Sequence, residues 1–409
     1  MNILFLTDNF PPEVNAPATR GYEHCQEWIR RGARVTVVTC APNFPSGRVY
    51  PGFRNRLYSK EDIHGITVVR VWSYMAPNAG FARRVLDYAS FAFTGFLAGI
   101  FHKADIVLTT SPQFFINFAG LGLSVLKRRP WVFELRDLWP ESIRTVGAMR
   151  ESKVLDWLEA MELFFYRKAS RVVAVTPAFK RNLVSRGIAA EKIDVVPNGA
   201  NMQRFTPLPK DQELEAELCL RGKFVIAYIG THGMAHSLEF IVRSVAQFPD
   251  TDVHFLFVGD GAEKERVVQV ARELGVNNVT FVPPVSKDQV GRYISVSDAA
   301  LVPLIKTETF TTVIPSKIFE SAAMRKPILL GVEGQAREIV EPHGAGICFE
   351  PENEADFLQQ VRRIKDDPDL YVQLQNGCES LAREYDRQKL AGEMLQVLQK
   401  VIGKGEEEG

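Results

Sequence analysis

Twelve short, continuous apolar runs alternate with helix-like patterns along this 409-residue chain. The first seven are Ile3–Leu6, Val35–Thr39, Ile66–Val71, Ile106–Thr109, Trp131–Leu135, Val172–Val175 and Ile193–Val196. The next five are Phe224–Ile229, Val253–Val258, Val279–Val282, Ala299–Pro303 and Ile328–Leu330. A strand with one wet face alternates apolar and polar residues, whereas a continuous apolar run is dry on both faces. Such strands lie in parallel sheets flanked by helices, so the expected fold class is α/β. Two series of runs predict two doubly wound, Rossmann-like domains, and a chain this long exceeds what one core usually serves.

The segment Pro197-Asn198-Gly199-Ala200-Asn201 punctuates the pattern between the two series. The expected organisation is a first domain over 1–197 and a second over 198–380. A closing amphipathic helix over 381–402 is expected to pack back on the first domain, followed by a disordered, acidic tail over 403–409. The opening Met1–Leu6 reads as a first buried strand and not as a signal peptide.

Composition narrows the setting. Hydrophobic residues at 46% with 24% charged are ordinary for a water-soluble globular chain. Cys25, Cys40, Cys219, Cys348 and Cys378 form no CxxC pair, which predicts reduced thiols in a cytoplasmic protein and no metal site. Residues 1–200 carry 26 Lys and Arg against 17 Asp and Glu, and the remainder carries 23 against 32. A basic first half suits an anionic partner, a membrane surface or a phosphorylated substrate; no nucleic-acid partner is expected. The segment Val85–Phe101 has one charge, Asp87, and five aromatic residues, with Arg83-Arg84 before it and Lys103 after. It is at the lower limit for a membrane span and suits a helix lying in the interface, so peripheral membrane contact is expected.

Four segments carry candidate chemistry. Ile314-Pro315-Ser316-Lys317-Ile318-Phe319-Glu320 follows the buried-strand run Asp298–Leu304, so a strand, a polar loop and a helix start come in order. That arrangement aims N–H groups at an anion, with Ser316 offering a hydroxyl, Lys317 a cation and Glu320 a carboxylate for ribose hydroxyls. An ordinary helix capped by Ser316 is the competing reading. Gly230-Thr231-His232-Gly233-Met234-Ala235-His236 follows another strand; Gly230 and Gly233 permit close approach of a diphosphate, and His236 can donate to it. Val282, Pro283, Pro284 and Val285 form a rigid strand end against which a base can lie. In the first domain, Asn15 and Ala16 sit in the loop after strand one, where Arg20 either reaches a phosphate or is solvated. Glu134, Arg136, Asp137 and Glu141 crowd another strand end. Asp137 or Glu134 can accept sugar hydroxyls or a proton, and Arg136 can pair with a phosphate.

Taken together, PPEVNAPATR (Pro11–Arg20), ELRDLWPES (Glu134–Ser142), VVPNGAN (Val195–Asn201), YIGTHGMAHSLE (Tyr228–Glu239) and IPSKIFE (Ile314–Glu320) resemble the retaining GT-B glycosyltransferases of family 4. Within that family they look most like WbuB-type transferases of surface polysaccharide and O-antigen synthesis. The resemblance implies a GT-B fold with an interdomain cleft and retaining transfer of an N-acetylated aminosugar. The donor would be a UDP-sugar and the acceptor a polyprenyl-diphosphate-linked sugar at the inner face of the membrane, with no cofactor and no obligatory metal. It implies that Glu320 binds the ribose, Ser316, Lys317 and Gly230–His236 the diphosphate, Val282–Val285 the base, and Asn15 and Ala16 the donor phosphate and sugar. Glu134, Arg136 and Asp137 stand where the family presents polar groups to the sugars. Three positions depart from the family's pattern. Thr312 stands where the first motif glutamate falls, with Glu308 displaced from it. His232 and His236 stand where an Arg/Lys pair is usual, and Arg136 precedes Asp137 where a histidine is common. A GT-B UDP-sugar 2-epimerase and an inactive nucleotide-binding scaffold are the alternatives.

Overall fold

The computed structural model describes residues 1–44, 46–75, 81–138, 153–248, 250 and 252–407. The chain forms two compact units, Met1–Pro197 with Arg387–Gly409, and Asn198–Asp386.

The first unit holds β1 (Asn2–Leu6), β2 (Arg34–Cys40), β3 (Tyr58–Ile63), β4 (Ile66–Val71), β5 (Ile106–Thr110), β6 (Trp131–Leu135), β7 (Arg171–Ala174) and β8 (Ile193–Val195). They make one sheet in the order β3-β4-β2-β1-β5-β6-β7-β8. Every neighbouring pair is parallel except β3 with β4. Strand β3 is absent from the apolar runs because YSKEDI is an edge strand with none of its residues buried. It is joined to β4 by His64-Gly65, both at positive φ (51° and 85°), which is the geometry of a type I′ hairpin.

The second unit holds β9 (Phe224–Ile229), β10 (Val253–Val258), β11 (Val279–Val282), β12 (Ala299–Pro303), β13 (Ile328–Gly331) and β14 (Gly346–Cys348). Their order is β11-β10-β9-β12-β13-β14, all parallel. In each sheet the strand order reverses beside the first strand, at β1 between β2 and β5 and at β9 between β10 and β12. Loops leaving the carboxyl ends there diverge and open a crevice.

Three helices matter for the first unit: α1 (Ala16–Arg30), α2 (Phe81–Ile100) and α3 (Ile116–Lys127). Phe91 of α2 and Leu123 of α3 bury against Leu4, Leu6, Val38 and Val107 on one face of the sheet. Trp28 of α1 and Leu390, Met394 and Leu398 of the closing helix cover Phe5, Val35 and Val37 on the other. The Trp28 indole donates to the Ala391 carbonyl at 2.8 Å, and Arg387 pairs with Glu23.

The closing element differs from expectation in two ways. Leu381 and Ala382 are buried in the second unit's core with Ile318 and Phe319, and Tyr385 stacks on Phe319 at 4.9 Å. These contacts hold 381–386 in the second unit, so the division falls at Asp386/Arg387 and not at 380/381. The helix then runs Arg387–Glu407, so Gly403–Glu407 continue a helix where the expected tail was disordered.

No helix of the described residues is long and apolar enough to cross a membrane. Within α2 the aromatic residues split. Phe91 is fully buried and Phe96 packs on the core, whereas Leu86, Phe93, Leu97 and the following Phe101 are exposed, Phe101 by 84%. Phe118 of α3 and Trp157 and Phe164 of helix Lys153–Lys168 are also exposed.

Candidate functional site

In the second unit the switch-point loops after β9 and β12 carry the candidate donor residues. Gly230 ends β9 at φ 146°, a conformation that L side chains rarely adopt, and a Cβ there would stand 3.1 Å from the Lys317 ammonium. Gly230 therefore provides both the turn and the space that Lys317 fills. Gly259, at φ 144°, closes the neighbouring turn; a Cβ there would meet the Gly230 carbonyl. Gly233 differs: its backbone is extended, φ −109° and ψ 166°, and a Cβ would make only ordinary contacts. Its role as an enforced close-approach glycine is not supported.

Lys317 is the most unusual group in the molecule. Its Nζ is buried with no hydrogen-bond partner among the described residues and lies 3.5 Å from the centre of the Tyr228 ring. Burial pushes its pKa from 10.5 down to about 7, opposed by Glu320 one turn on. A buried ammonium over a ring face, with no hydrogen-bond partner among the described residues, has a strong demand for an anion. A small cavity, about 20 Å³, touches Lys317, Glu320 and Ser321 beneath the ends of β9 and β12.

Ser316 is exposed and makes no capping hydrogen bond, so the simple capped-helix reading fails. Thr312 bonds the Thr309 carbonyl, 3.1 Å, within a 3-10 turn, Glu308–Thr312.

The two histidines divide the loop between them. His236 is part-buried, its Nδ1 3.3 Å from the Gly233 carbonyl, and burial followed by Lys317 lowers its pKa to about 4. It is neutral near pH 7, and its one ring N–H, at Nδ1, faces the Gly233 carbonyl. His232 is fully buried, packed edge-on to Tyr228 and Phe257. Burial, then Lys264, lowers its pKa to about 4.

At the candidate base site, Val282 is buried while Pro283 and Pro284 are exposed, with Val285 part-buried. The Val282 carbonyl already accepts from the Gly259 N–H, 3.1 Å, and the Lys264 ammonium, 3.2 Å. Lys264 also bonds the Gly259 carbonyl at 2.6 Å. This lysine fastens two strand ends, a role no local sequence signal announced.

In the first unit one charge of the strand end after β6, Glu134, is engaged within the fold. Glu134 is 4% exposed and accepts from Arg20 Nε at 2.9 Å and Thr110 Oγ1 at 2.8 Å. Burial acts to raise its pKa, and Arg20, Arg136 and these hydrogen bonds hold it below the usual value. Arg20 spends its other nitrogens on the Val196 and Pro197 carbonyls, 2.9 and 2.6 Å. Glu134 is thus no free acid for a sugar, and Arg20 is neither a phosphate ligand nor solvated. The pair ties α1, β6 and the end of β8 together. Arg136 lies beside them; burial pulls its pKa down to about 10, against the pull of Glu134, and its Nε has no hydrogen-bond partner among the described residues.

Asp137 is accessible at its rim and crowded on its other sides. Desolvation raises its pKa, and Arg136 opposes this. The backbone N–H groups of Arg136 and Asp137 both reach Ser111 Oγ, 2.7 and 3.3 Å, which joins this loop to the one after β5. Glu141 and the rest of WPES lie outside the described residues.

Asn15 caps α1: its Oδ1 accepts from the Ala18 N–H at 2.9 Å, and its amide donates to Asn9 at 2.6 Å. Ala16 follows as the first helical residue. Glu13, which sequence reasoning passed over, accepts from the Asn43 and Phe44 N–H groups at 2.7 and 2.9 Å. Arg70 donates to the Cys40 and Pro11 carbonyls at 3.0 and 2.6 Å. Together they lock the loops after β1 and β2.

Fold and site thus define an α/β protein of two doubly wound units, one presenting an unsatisfied buried cation at its switch point. Family models match both halves, the Glycosyl transferase 4-like domain over residues 15–199 and Glycosyl transferases group 1 over residues 210–380. The chain belongs to this family and is a glycosyltransferase. It is 25% identical over 405 residues to the Escherichia coli K12 protein WcaI, named for colanic acid biosynthesis, covering 95% of this chain and 96% of that one. It is 24% identical to the glycosyltransferase WbjE of Pseudomonas aeruginosa, covering 68% and 70%. Among solved structures, Anabaena HepE in complex with UDP-glucose superposes with a TM-score of 0.72 at 18% identity, covering 98% and 100%. WaaG, of lipopolysaccharide biosynthesis, gives 0.68 at 14% identity, covering 97% and 99%. These establish the GT-B architecture.

Proposed function

We propose that this glycosyltransferase moves a sugar, an N-acetylated aminosugar, from a UDP-sugar to a polyprenyl-diphosphate-linked saccharide with retention at the anomeric carbon. The setting is bacterial surface-polysaccharide synthesis at the inner face of the cell membrane. The observation that carries the donor half is Lys317: a buried ammonium without an anionic hydrogen-bond partner, beneath a glycine turn and one helical turn from Glu320. A nucleoside diphosphate meets that demand. Its phosphates take the Lys317 charge and loop N–H groups, and Glu320 accepts ribose hydroxyls. HepE is described with UDP and with UDP-glucose, which supports the same donor class here.

In the reaction the acceptor hydroxyl oxygen bonds to the sugar's anomeric carbon as the bond from that carbon to the diphosphate oxygen breaks. The electron pair leaves on UDP, stabilised by Lys317, and the hydroxyl proton passes to the departing phosphate oxygen. Retention follows when attack and departure share one face. No carboxylate is assigned as a covalent nucleophile, because Glu134 is consumed by Arg20 and Thr110.

Peripheral membrane contact is supported by exposed Leu86, Phe93, Leu97 and Phe101 beside Arg83, Arg84 and Lys103, an apolar stripe with basic flanks. The relatives named for colanic acid and lipopolysaccharide synthesis support the pathway class.

The test is incubation with a panel of UDP-sugars and a polyprenyl-diphosphate saccharide, with the product's anomeric configuration read by NMR. A retained glycoside with UDP release is expected. An inverted product, an epimerised UDP-sugar without acceptor, or no turnover with any UDP-sugar would overturn the reading.

A further inference from the structure

The ring of Tyr228 is the hub around which the Lys317 cluster packs. Tyr228 stands in β9, two positions before the Gly230 turn, and is fully buried. Lys317 Nζ lies over the ring, 3.5 Å from its centre. His232 and His236 make T-shaped contacts with it, 5.6 and 5.8 Å between ring centres. The Tyr228 hydroxyl donates to the Thr231 carbonyl. One side chain therefore touches both the loop after β9 and the helix Lys317–Ala323 that comes after β12.

A ring in this place differs physically from an acid. A carboxylate would neutralise Lys317 and accept its N–H groups, and an incoming anion would have to displace it. A ring face attracts a cation through its quadrupole without accepting a conventional hydrogen bond. Lys317 Nζ has no hydrogen-bond partner among the described residues, so its N–H groups stay available to a ligand. The fit is close: a Cβ at Gly230 would stand 3.1 Å from Nζ and 3.9 Å from the Tyr228 hydroxyl.

We propose that Tyr228 is a positioning residue: its ring face holds Lys317 in the empty site as a cation with its donors uncommitted, and its hydroxyl fixes the adjoining loop at Thr231. The inference rests on the diphosphate reading of Lys317 and deepens it, by assigning the group that keeps the lysine placed and charged before the ligand arrives.

The charged and titratable groups around Lys317 are Glu320, Tyr228, His232 and His236. Burial pulls the lysine down to about 7, and Glu320, one turn on, opposes this. Burial first, then Lys264 for His232 and Lys317 for His236, holds both histidines near 4. Asp260 acts on His232 in the opposite sense. Burial pushes the Tyr228 phenol far above its usual value. Neither the ring nor the histidines therefore change charge between about pH 5.5 and 8.5.

The test uses the full chain with carbon-13-labelled lysine, and compares the parent with Tyr228→Phe and Tyr228→Leu. A methylene over a ring face resonates upfield, and Lys317→Met identifies the Lys317 signal by its loss. The parent and Tyr228→Phe are expected to show this ε-methylene upfield of the other lysines, and Tyr228→Leu to return it to their range. The midpoint of its titration is expected to fall by about 0.5–1.5 pH units in Tyr228→Leu, the worth of a cation–π contact, and to be restored in Tyr228→Phe. UDP affinity is read by calorimetry as the ratio of parent to variant, so that the ionisation of UDP itself cancels. Tyr228→Leu is expected to match the parent at about pH 5.5 and to bind about 3- to 30-fold more weakly at about pH 8.5. A packing role alone would lower the melting temperature and leave the midpoint in place. An unshifted Lys317 signal in the parent, an unchanged midpoint in Tyr228→Leu, or a Tyr228→Phe that behaves like the leucine variant overturns the proposal. Should Tyr228→Leu melt early, the upfield signal of the parent and its retention in Tyr228→Phe carry the result. A parent that binds no UDP at any pH removes the diphosphate reading, and the lysine signal still decides this one.

Discussion

Replacing Lys317 by methionine is expected to stabilise the empty protein and, at the same time, to weaken nucleotide binding. Burial moves the ammonium from 10.5 to about 7. At about 1.4 kcal/mol per pH unit this is a cost of up to about 5 kcal/mol for keeping the group charged without an anion. Methionine fills similar volume with no charge, so it recovers part of that cost. The pH dependence fixes the cause. Below pH 7 the folded and unfolded chains both hold the proton, and the parent bears the full penalty. Between about 7 and 10.5 the unfolded chain holds the proton and the folded chain does not, so the parent gains stability as pH rises. The advantage of Lys317→Met is therefore largest near pH 6 and shrinks toward pH 10. With UDP the order reverses: loss of a charge-assisted bond worth about 1.5–3 kcal/mol weakens binding by about 10- to 150-fold. Calorimetry of the parent near pH 8 should also show proton uptake on binding, because a bound diphosphate raises the lysine's pKa. Thermal melts at pH 6 and 9.5 with UDP titrations check both arms. A methionine variant that melts lower than the parent at pH 6, or binds UDP equally well, refutes the reasoning.

Other substitutions separate binding from architecture. Glu320→Ala is expected to weaken UDP binding about 10-fold, the loss of one hydrogen bond to a carboxylate, with little change in melting temperature; equal calorimetric affinity would remove its ribose role. Glu134→Ala leaves Arg20 buried without its carboxylate and is expected to cost about 3–5 kcal/mol in urea unfolding; a loss under about 1 kcal/mol would return Glu134 to the list of dispensable surface acids. Exchanging Phe93, Leu97 and Phe101 for serine is expected to abolish co-sedimentation with anionic vesicles while leaving stability nearly intact, and undiminished sedimentation would count against the membrane face. Phe91→Ala, on the buried side of the same helix, is expected instead to cost about 3–5 kcal/mol of stability.

The apolar runs were legible because dryness on both faces removes the alternation of a half-wet strand. Strand β3 escaped the same rule, since YSKEDI lies at an edge with none of its residues buried; the His64-Gly65 turn was the signal that could have located it. Strand β14, with three residues, is too short to form a pattern. The candidate donor residues were readable because Gly230 lies directly after a strand, and Lys317 and Glu320 open the helix that follows the next switch-point strand, β12.

What the chain order dictated was therefore the alternation of strands and helices, the two-unit plan and the strand ends where chemistry gathers. Whether a charge at such an end faces a ligand or a neighbour was settled only by long-range packing. Glu134 and Arg20 lie 114 positions apart and neutralise each other, Lys317 lies over the ring of Tyr228, and Phe91 turns inward while Phe93 turns out. Periodicity is a property of neighbours along the chain, whereas the partner of a buried charge is chosen by whichever distant segment the fold brings within hydrogen-bond reach.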